Sequence, residues 1–348
     1  MVSKTVLLKK HEFTFYFPAS SYLGGVHRFT STNHSFPAMI KLYSAVLILL
    51  LTACTVPDVQ RPGDLVSING TELFVHTIGE GEPVLFLHGG PGLNHSYFLP
   101  HLEPLAVDFQ LIFFDMRGMG LSDTSIPPDQ FSLDLIVDDI EALKSHFGFD
   151  KIHLLAHSWG GLPAMKYIIK YPESLKSVIL TNSVPASTEF MDEIIDRRMG
   201  IVNRANMERM AMIQDRIQND EADHYLAEEA MLISFQAMFY DTSQVHQLQL
   251  NLGESYGATQ RLLMRLPRPS EAPDLHPELA MFEEPVLIIR AEMEPIPPSS
   301  DEKLSDTFQK STLISIDRAG HFPFIEQQAE FNALVSRFLK DVQLTEQE

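Results

Sequence analysis

Between Lys151 and Gly161 the chain reads KIHLLAHSWGG, an apolar run that ends in a serine held among small residues. Ile152 to Leu155 is rich in strand formers, and Leu162 to Tyr171 has the composition of a helix that stops before Pro172. Where a strand turns straight into a helix, the residue at the turn is lifted above the sheet. Side chains two before and two after it must then be small, because the backbones crowd there. Ala156 and Gly160 hold those places and Gly161 follows. The stretch therefore predicts an α/β architecture in which Ser158 is presented as a nucleophile at the end of a central strand.

The 348 residues, 45% of them hydrophobic, suffice to bury one large core, alone or with an insertion. A formal net charge of −20 argues against a nucleic-acid partner, since phosphate binding needs a basic patch. Acidity mostly serves solubility and, at most, sets up a field that favours cationic substrates. The single cysteine, Cys54, excludes an intramolecular disulfide and a cysteine-based metal site. The sequence also lacks a paired-histidine helix motif and a phosphate-cradling glycine loop leading into a lysine.

From Met39 the chain reads MIKLYSAVLILLLTAC: one lysine, an apolar run too short to span a bilayer comfortably, then small residues. This is the layout of a secretory signal. Leu51-Thr52-Ala53-Cys54 resembles the lipobox of bacterial lipoproteins, which implies cleavage before Cys54 and lipidation of that cysteine. Two or more acyl chains anchor a protein stably to a membrane. The expected organisation is thus an upstream extension plus signal peptide over residues 1–53 and a lipidated tether over 54–63, with Pro57 and Pro62 keeping it extended. Translation is expected to start at Met39, and the mature chain to sit in the bacterial cell envelope. Thr55, in place of an aspartate after the cysteine, points by resemblance to the outer membrane and its periplasmic face.

Asp64 to Ile78 reads as two short strands around an Asn69-Gly70 hairpin turn. Val84 to Leu87 is a fully apolar strand that opens into His88-Gly89-Gly90-Pro91-Gly92, where glycines let the backbone approach a ligand and aim an amide at a developing oxyanion. Leu111 to Phe114 is another buried strand, followed by DMRGMGLSD from Asp115 and a helix from about Leu133 to Phe147 with Gly148 at its end. Ser177 to Thr181 is the next strand, and no carboxylate follows it at Asn182-Ser183. From about 185 to 283 the pattern becomes helical, with methionines that suit an adaptable apolar pocket or ordinary helix packing. Strands resume at Pro285 to Arg290 and Thr312 to Ile316, and an amphipathic helix from about Ile325 to Leu339 closes the chain.

HGGPG, DMRGMGLSD and AHSWGG, in that order across Pro83 to Gly161, resemble the proline iminopeptidase branch of the α/β-hydrolases. The resemblance implies a mostly parallel central sheet with helices on both faces, a core of 64–184 and 284–341, and an inserted helical cap of 185–283. It implies the chain order serine, acid, histidine. His321, in the loop Ala319-Gly320-His321 after the last strand, is where the family places its general base. An aspartate normally stands three residues after a glycine in the acid loop; here Ala291 and Glu294 occupy those places. Glu294 is the expected acid, with Glu292 and Asp317 as alternatives. The backbone amides of Gly90 and Trp159 are the expected oxyanion donors, ahead of Gly89, and His88 and His157 read as structural or oxyanion-loop residues. No metal or organic cofactor is implied. The leading function is an aminopeptidase that releases N-terminal proline or another small apolar residue from short peptides. Cap acids such as Glu208, Glu221, Glu228 and Glu229 are available to hold the free amino group. The tryptophan-rich cap segment of some family members is missing, Trp159 being the single tryptophan. The alternatives are a small-molecule esterase, lactonase or amidase on the same triad, and a lipid-anchored binding protein without turnover.

Overall fold

Short apolar runs with no polar face belong inside a sheet that is covered on both sides. They lie there in the computed structural model, which describes residues 63–201, 204–216, 224–266 and 273–346. The signal segment, Cys54 and nearly all of the tether fall outside the described residues, as do Ile217, Glu221 and residues 267–272. The strands are β1 (Asp64–Ile68), β2 (Thr71–Ile78), β3 (Glu82–Leu87), β4 (Phe109–Phe114), β5 (Ile152–His157), β6 (Leu175–Thr181), β7 (Val286–Ala291) and β8 (Ser311–Ile316). They form one sheet in the order β1-β2-β4-β3-β5-β6-β7-β8. β1 and β2 are antiparallel, joined through Asn69 and Gly70, both at positive φ as a two-residue hairpin turn of this hand requires. From β4 to β8 every pairing is parallel.

Alternation along the central strands divides the core in two. Leu85, Ile112, Leu154, Val178 and Ile288 pack with α1 (Leu133–His146) and α2 (Gly161–Lys170), through Ile136, Ile140, Leu143, Ala164, Met165 and Ile168. On the opposite face Val84, Phe86, Phe113, Leu155, Ile179 and Leu287 meet Phe331, Val335 and Leu339. The register then sets the functional end: Leu87 pairs with Ala156, His157 with Thr181, Thr181 with Ile289 and Ala291 with Ile316. The loops after β3, β5, β6, β7 and β8 consequently leave the sheet side by side at its carboxyl edge, where ligands bind in open α/β sheets.

Three sequence expectations change. The insertion between β6 and β7 does carry helices α3 (Met191–Ile201), α4 (Arg204–Arg216) and α5 (His224–Gln236), but its later part returns to the core. Leu248, Leu250 and Leu252 join one core cluster; Leu275, Leu279 and Phe282 join the other. The expected cap of 185–283 is therefore stitched onto the hydrolase body well before 283. Its apolar residues at helical spacing are only partly covered: Ile194, Ile213 and Leu226 are buried, while Ile195 and Met207 are exposed. Finally, the closing helix is two helices, Pro323–Glu326 and Gln328–Glu346, broken at Gln327. The second extends past Leu339 because Val342 continues the buried row set by Phe331, Val335 and Leu339. Among the described residues no helix is long and apolar enough to cross a membrane.

Candidate active site

β5 delivers Ser158 into a left-handed backbone, φ +57, before a single turn leads into α2. A non-glycine residue held there costs about 1–3 kcal/mol and persists only when its surroundings enforce it. They do so by close packing: Gly160 lies against the carbonyl oxygens of Leu87 and His88, and Gly161 lies against Ser183, so that a Cβ at either would collide. Ala156 is fully buried on β5 and meets the requirement for a small residue without being glycine.

His321 Nε2 stands 2.9 Å from Ser158 Oγ, and His321 Nδ1 stands 2.8 Å from Glu294 Oε2. The carboxylate only accepts, so Nδ1 carries the hydrogen and Nε2 is the bare nitrogen facing the serine hydroxyl. Glu294 is nearly inaccessible, with 1% of its side chain exposed. The two alternative acids lie elsewhere: Glu292 is exposed and accepts the Arg318 N–H at 2.8 Å, and Asp317 is exposed. The Met293 N–H donates to the Ala319 carbonyl at 2.9 Å, which binds the acid loop to the base loop.

Several partners had little signal in the sequence. Asn182, at the end of β6 with φ +42, accepts the Ala291 N–H through Oδ1 at 2.9 Å. Its Nδ2 donates to the carbonyls of Gly320 and His321 at 3.2 and 3.1 Å. The insertion reaches the base as well: Met238 O accepts the His321 N–H, and Phe235 lies parallel to the imidazole at 6.4 Å between ring centroids. Glu326, whose carboxyl burial pushes above the usual range, accepts N–H groups from Gly320 and Asp241. A polar residue after an apolar strand, as at Asn182, was the one visible hint.

On the oxyanion side, Trp159 follows Ser158 within the single turn toward α2, and Gly90 follows Gly89, which packs directly on Ser158. Gly89 is excluded as a donor because its N–H goes to Tyr97 Oη at 2.5 Å. His88 Nε2 accepts the Met116 N–H at 3.1 Å, so its Nδ1 donates to the Gly89 carbonyl at 3.0 Å. Burial holds that ring below the usual histidine range against the opposing pull of Asp115. Of the cap acids, Glu228 accepts the Leu252 N–H and Glu229 pairs with Arg209, while Glu208 is exposed on α4. A cavity of about 330 Å³ lies between the insertion and Met293, beside the acid loop, with Ile201, Phe239 and Tyr240 in its wall. Among the described residues no group of His, Cys, Asp or Glu is arranged to hold a metal ion.

The sequence from 82 to 328 matches the family model described as alpha/beta hydrolase fold. The chain belongs to the α/β-hydrolase fold family. Within it, the chain is 26% identical over 270 residues to a proline iminopeptidase of Clostridium botulinum, covering 75% of this chain and 90% of that one. Solved structures share its fold. A thermophilic esterase from Thermogutta terrifontis superposes with a TM-score of 0.58 at 24% identity, over 81% of this chain and 99% of the other. A proline iminopeptidase of Mycobacterium smegmatis gives 0.60 at 22% identity over the same shares. In this α/β-hydrolase the hydroxyl, imidazole and carboxylate stand in the order needed to generate an alkoxide and stabilise the resulting imidazolium.

Proposed function

We propose that the chain is a serine hydrolase that works through an acyl-enzyme on Ser158. The observation that carries the reading is the continuous line from Ser158 Oγ through His321 to Glu294, at 2.9 and 2.8 Å. His321 Nε2 takes the hydroxyl proton as Oγ attacks a carbonyl carbon, while Glu294 holds the Nδ1–H and the charge that develops on the ring. The Gly90 and Trp159 amides receive the oxyanion. The imidazolium then protonates the leaving group, and water, activated by the same nitrogen, releases the acyl group. This assembled triad also weighs against a binding protein without turnover.

For substrate we favour a short peptide with an N-terminal proline or small apolar residue. The relative with that activity in its name aligns over nine-tenths of its length. One observation favours a second reading, a small-molecule esterase, lactonase or amidase: Glu228 and Glu229 are already engaged by Leu252 and Arg209 instead of standing open to an amino group. Proline and alanine arylamides, their N-blocked forms and short-chain aryl esters separate the two. Hydrolysis confined to free-amine arylamides supports the aminopeptidase, and ester cleavage without arylamidase activity overturns it. The lipobox-like Leu51–Cys54 further supports anchoring through Cys54 in the cell envelope. Incorporation of labelled palmitate, lost in Cys54→Ser, tests that placement.

A further inference from the structure

Two side chains outside the triad join the loop of the oxyanion to the loop of the base. Tyr97, fully buried in the turn His95–Phe98, stands 2.5 Å from the Gly89 nitrogen and 2.9 Å from His157 Nδ1. His157, also buried and one residue before the nucleophile, places Nε2 2.8 Å from the carbonyl oxygen of His321. The hydrogens in this chain have one consistent order. A carbonyl only accepts, so His157 Nε2 carries the ring hydrogen. Burial and the adjacent His321 hold this ring well below the usual histidine range, so it is neutral and Nδ1 is bare. Tyr97 therefore donates to Nδ1 and accepts from the Gly89 N–H.

We infer that Tyr97 and His157 are positioning residues of the reaction, fixing the Gly89–Gly90 loop relative to the loop that carries His321. The inference rests on the serine-hydrolase reading. Gly89 forms the wall of the nucleophile: a Cβ there would come within 2.8 Å of Ser158 Cβ and 3.3 Å of its Oγ. Its N–H is held by Tyr97 and its carbonyl by His88, leaving the next amide, that of Gly90, for the oxyanion. At the other end, the His321 carbonyl is held by His157 and Asn182 together. Displacing either loop changes the separation between oxyanion donor and base, and misplacement by an ångström at a reaction centre costs about 100-fold in rate.

The aromatic contacts of Tyr97 with Phe98, Phe322 and Phe324 survive in Tyr97→Phe, which removes the hydroxyl alone. At His157, glutamine offers an amide oxygen to Tyr97 and an N–H to the His321 carbonyl, whereas leucine offers neither. The test uses the full chain, 4-nitrophenyl acetate as substrate, and phenylboronic acid, whose adduct with Ser158 presents an oxyanion-like hydroxyl. Tyr97→Phe is expected to lower kcat by about 10- to 100-fold with KM changed less than about threefold, and to weaken boronate binding in parallel. His157→Gln is expected to retain more activity than His157→Leu. Wild-type kcat and boronate affinity in Tyr97→Phe, or equal losses in His157→Gln and His157→Leu, overturn the inference. Fluorophosphonate labelling of wild-type Ser158 keeps the two levels apart. An unlabelled, inactive wild type overturns the hydrolase reading and this inference with it, whereas with a labelled, active wild type the variant results bear on Tyr97 and His157 alone.

Discussion

Glu294 Oε2 lies 2.8 Å from His321 Nδ1, and Glu292, two residues earlier, points its carboxylate at the Arg318 amide instead. The two glutamates share a loop and a charge, so exchanging each for glutamine separates geometry from composition. Glu294→Gln removes the charge that stabilises the imidazolium and is expected to lower kcat by roughly 10²- to 10⁴-fold. Glu292→Gln keeps an acceptor for Arg318 and should stay within about threefold of wild type. Steady-state kinetics on one aryl ester decides, and a larger loss in Glu292→Gln would reverse the assignment.

Asn182 serves three backbone groups, the Ala291 N–H at the end of β7 and the Gly320 and His321 carbonyls of the base loop, with the acceptor and the donor of one amide. Asn182→Asp still accepts from Ala291 but turns an oxygen on the carbonyls of Gly320 and His321. Loss of the donated bonds and the new repulsion should destabilise the fold by about 1–3 kcal/mol in urea unfolding. The same change is expected to reduce kcat about tenfold or more, because the base loop is no longer tied to β6. An unfolding midpoint and kcat both equal to wild type would show that the His321 loop holds its place without Asn182.

The central strands were legible because burial on both faces leaves no room for polar residues, and Ser158 because crowding at the turn demands Gly160 and Gly161. An acid after β7 was legible from chain order, while the preference for Glu294 over Glu292 rested on the resemblance to the family's acid loop. What escaped were partners joined only by the fold. Tyr97 and His157 are 60 residues apart, and Asn182 and His321 139 apart. Nothing in a linear pattern distinguishes Tyr97, whose hydroxyl accepts the Gly89 N–H, from any other buried aromatic. The insertion departs from expectation for a related reason: the alternation at Leu248, Leu250 and Leu252 reads the same whether it covers a cap or the main core.

Arg117 is fully buried, with Nε and Nη2 on the two carboxylate oxygens of Asp139 at 2.8 and 2.6 Å. The pair ties the loop after β4 to α1, and Asn69 of the hairpin turn bonds to both members. Removing one partner strands a buried charge, so Arg117→Met should cost about 3–5 kcal/mol, while Arg117→Met with Asp139→Leu should recover part of it. Thermal or urea unfolding measures both, and a double variant no more stable than Arg117→Met alone would refute the stranded-charge account.

Asp301, in the first turn of the helix Pro298–Thr307, is buried behind the acid loop, and its carboxyl is pushed up to about 7. Burial is the main cause; Glu294 and Glu302 add to it, and Arg290 opposes it from 3.5 Å, too far for a hydrogen bond. An acid raised in this way keeps a proton in the folded chain that the unfolded chain releases near pH 4. The folded state therefore binds more protons between about pH 4 and pH 7, and stability from this group declines as pH rises through that window. The decline is worth on the order of 4 kcal/mol if the whole shift is expressed. Asp301→Asn is similar in shape and does not titrate. Its stability relative to wild type should rise between pH 5 and about pH 7, while unfolded wild type has released the proton that the folded wild type still holds, and level off above that. Urea unfolding of both proteins at the two pH values checks this, since other titrating groups cancel in the difference. A difference that stays constant would mean that Asp301 is already ionised at pH 5 and that Arg290 outweighs its burial.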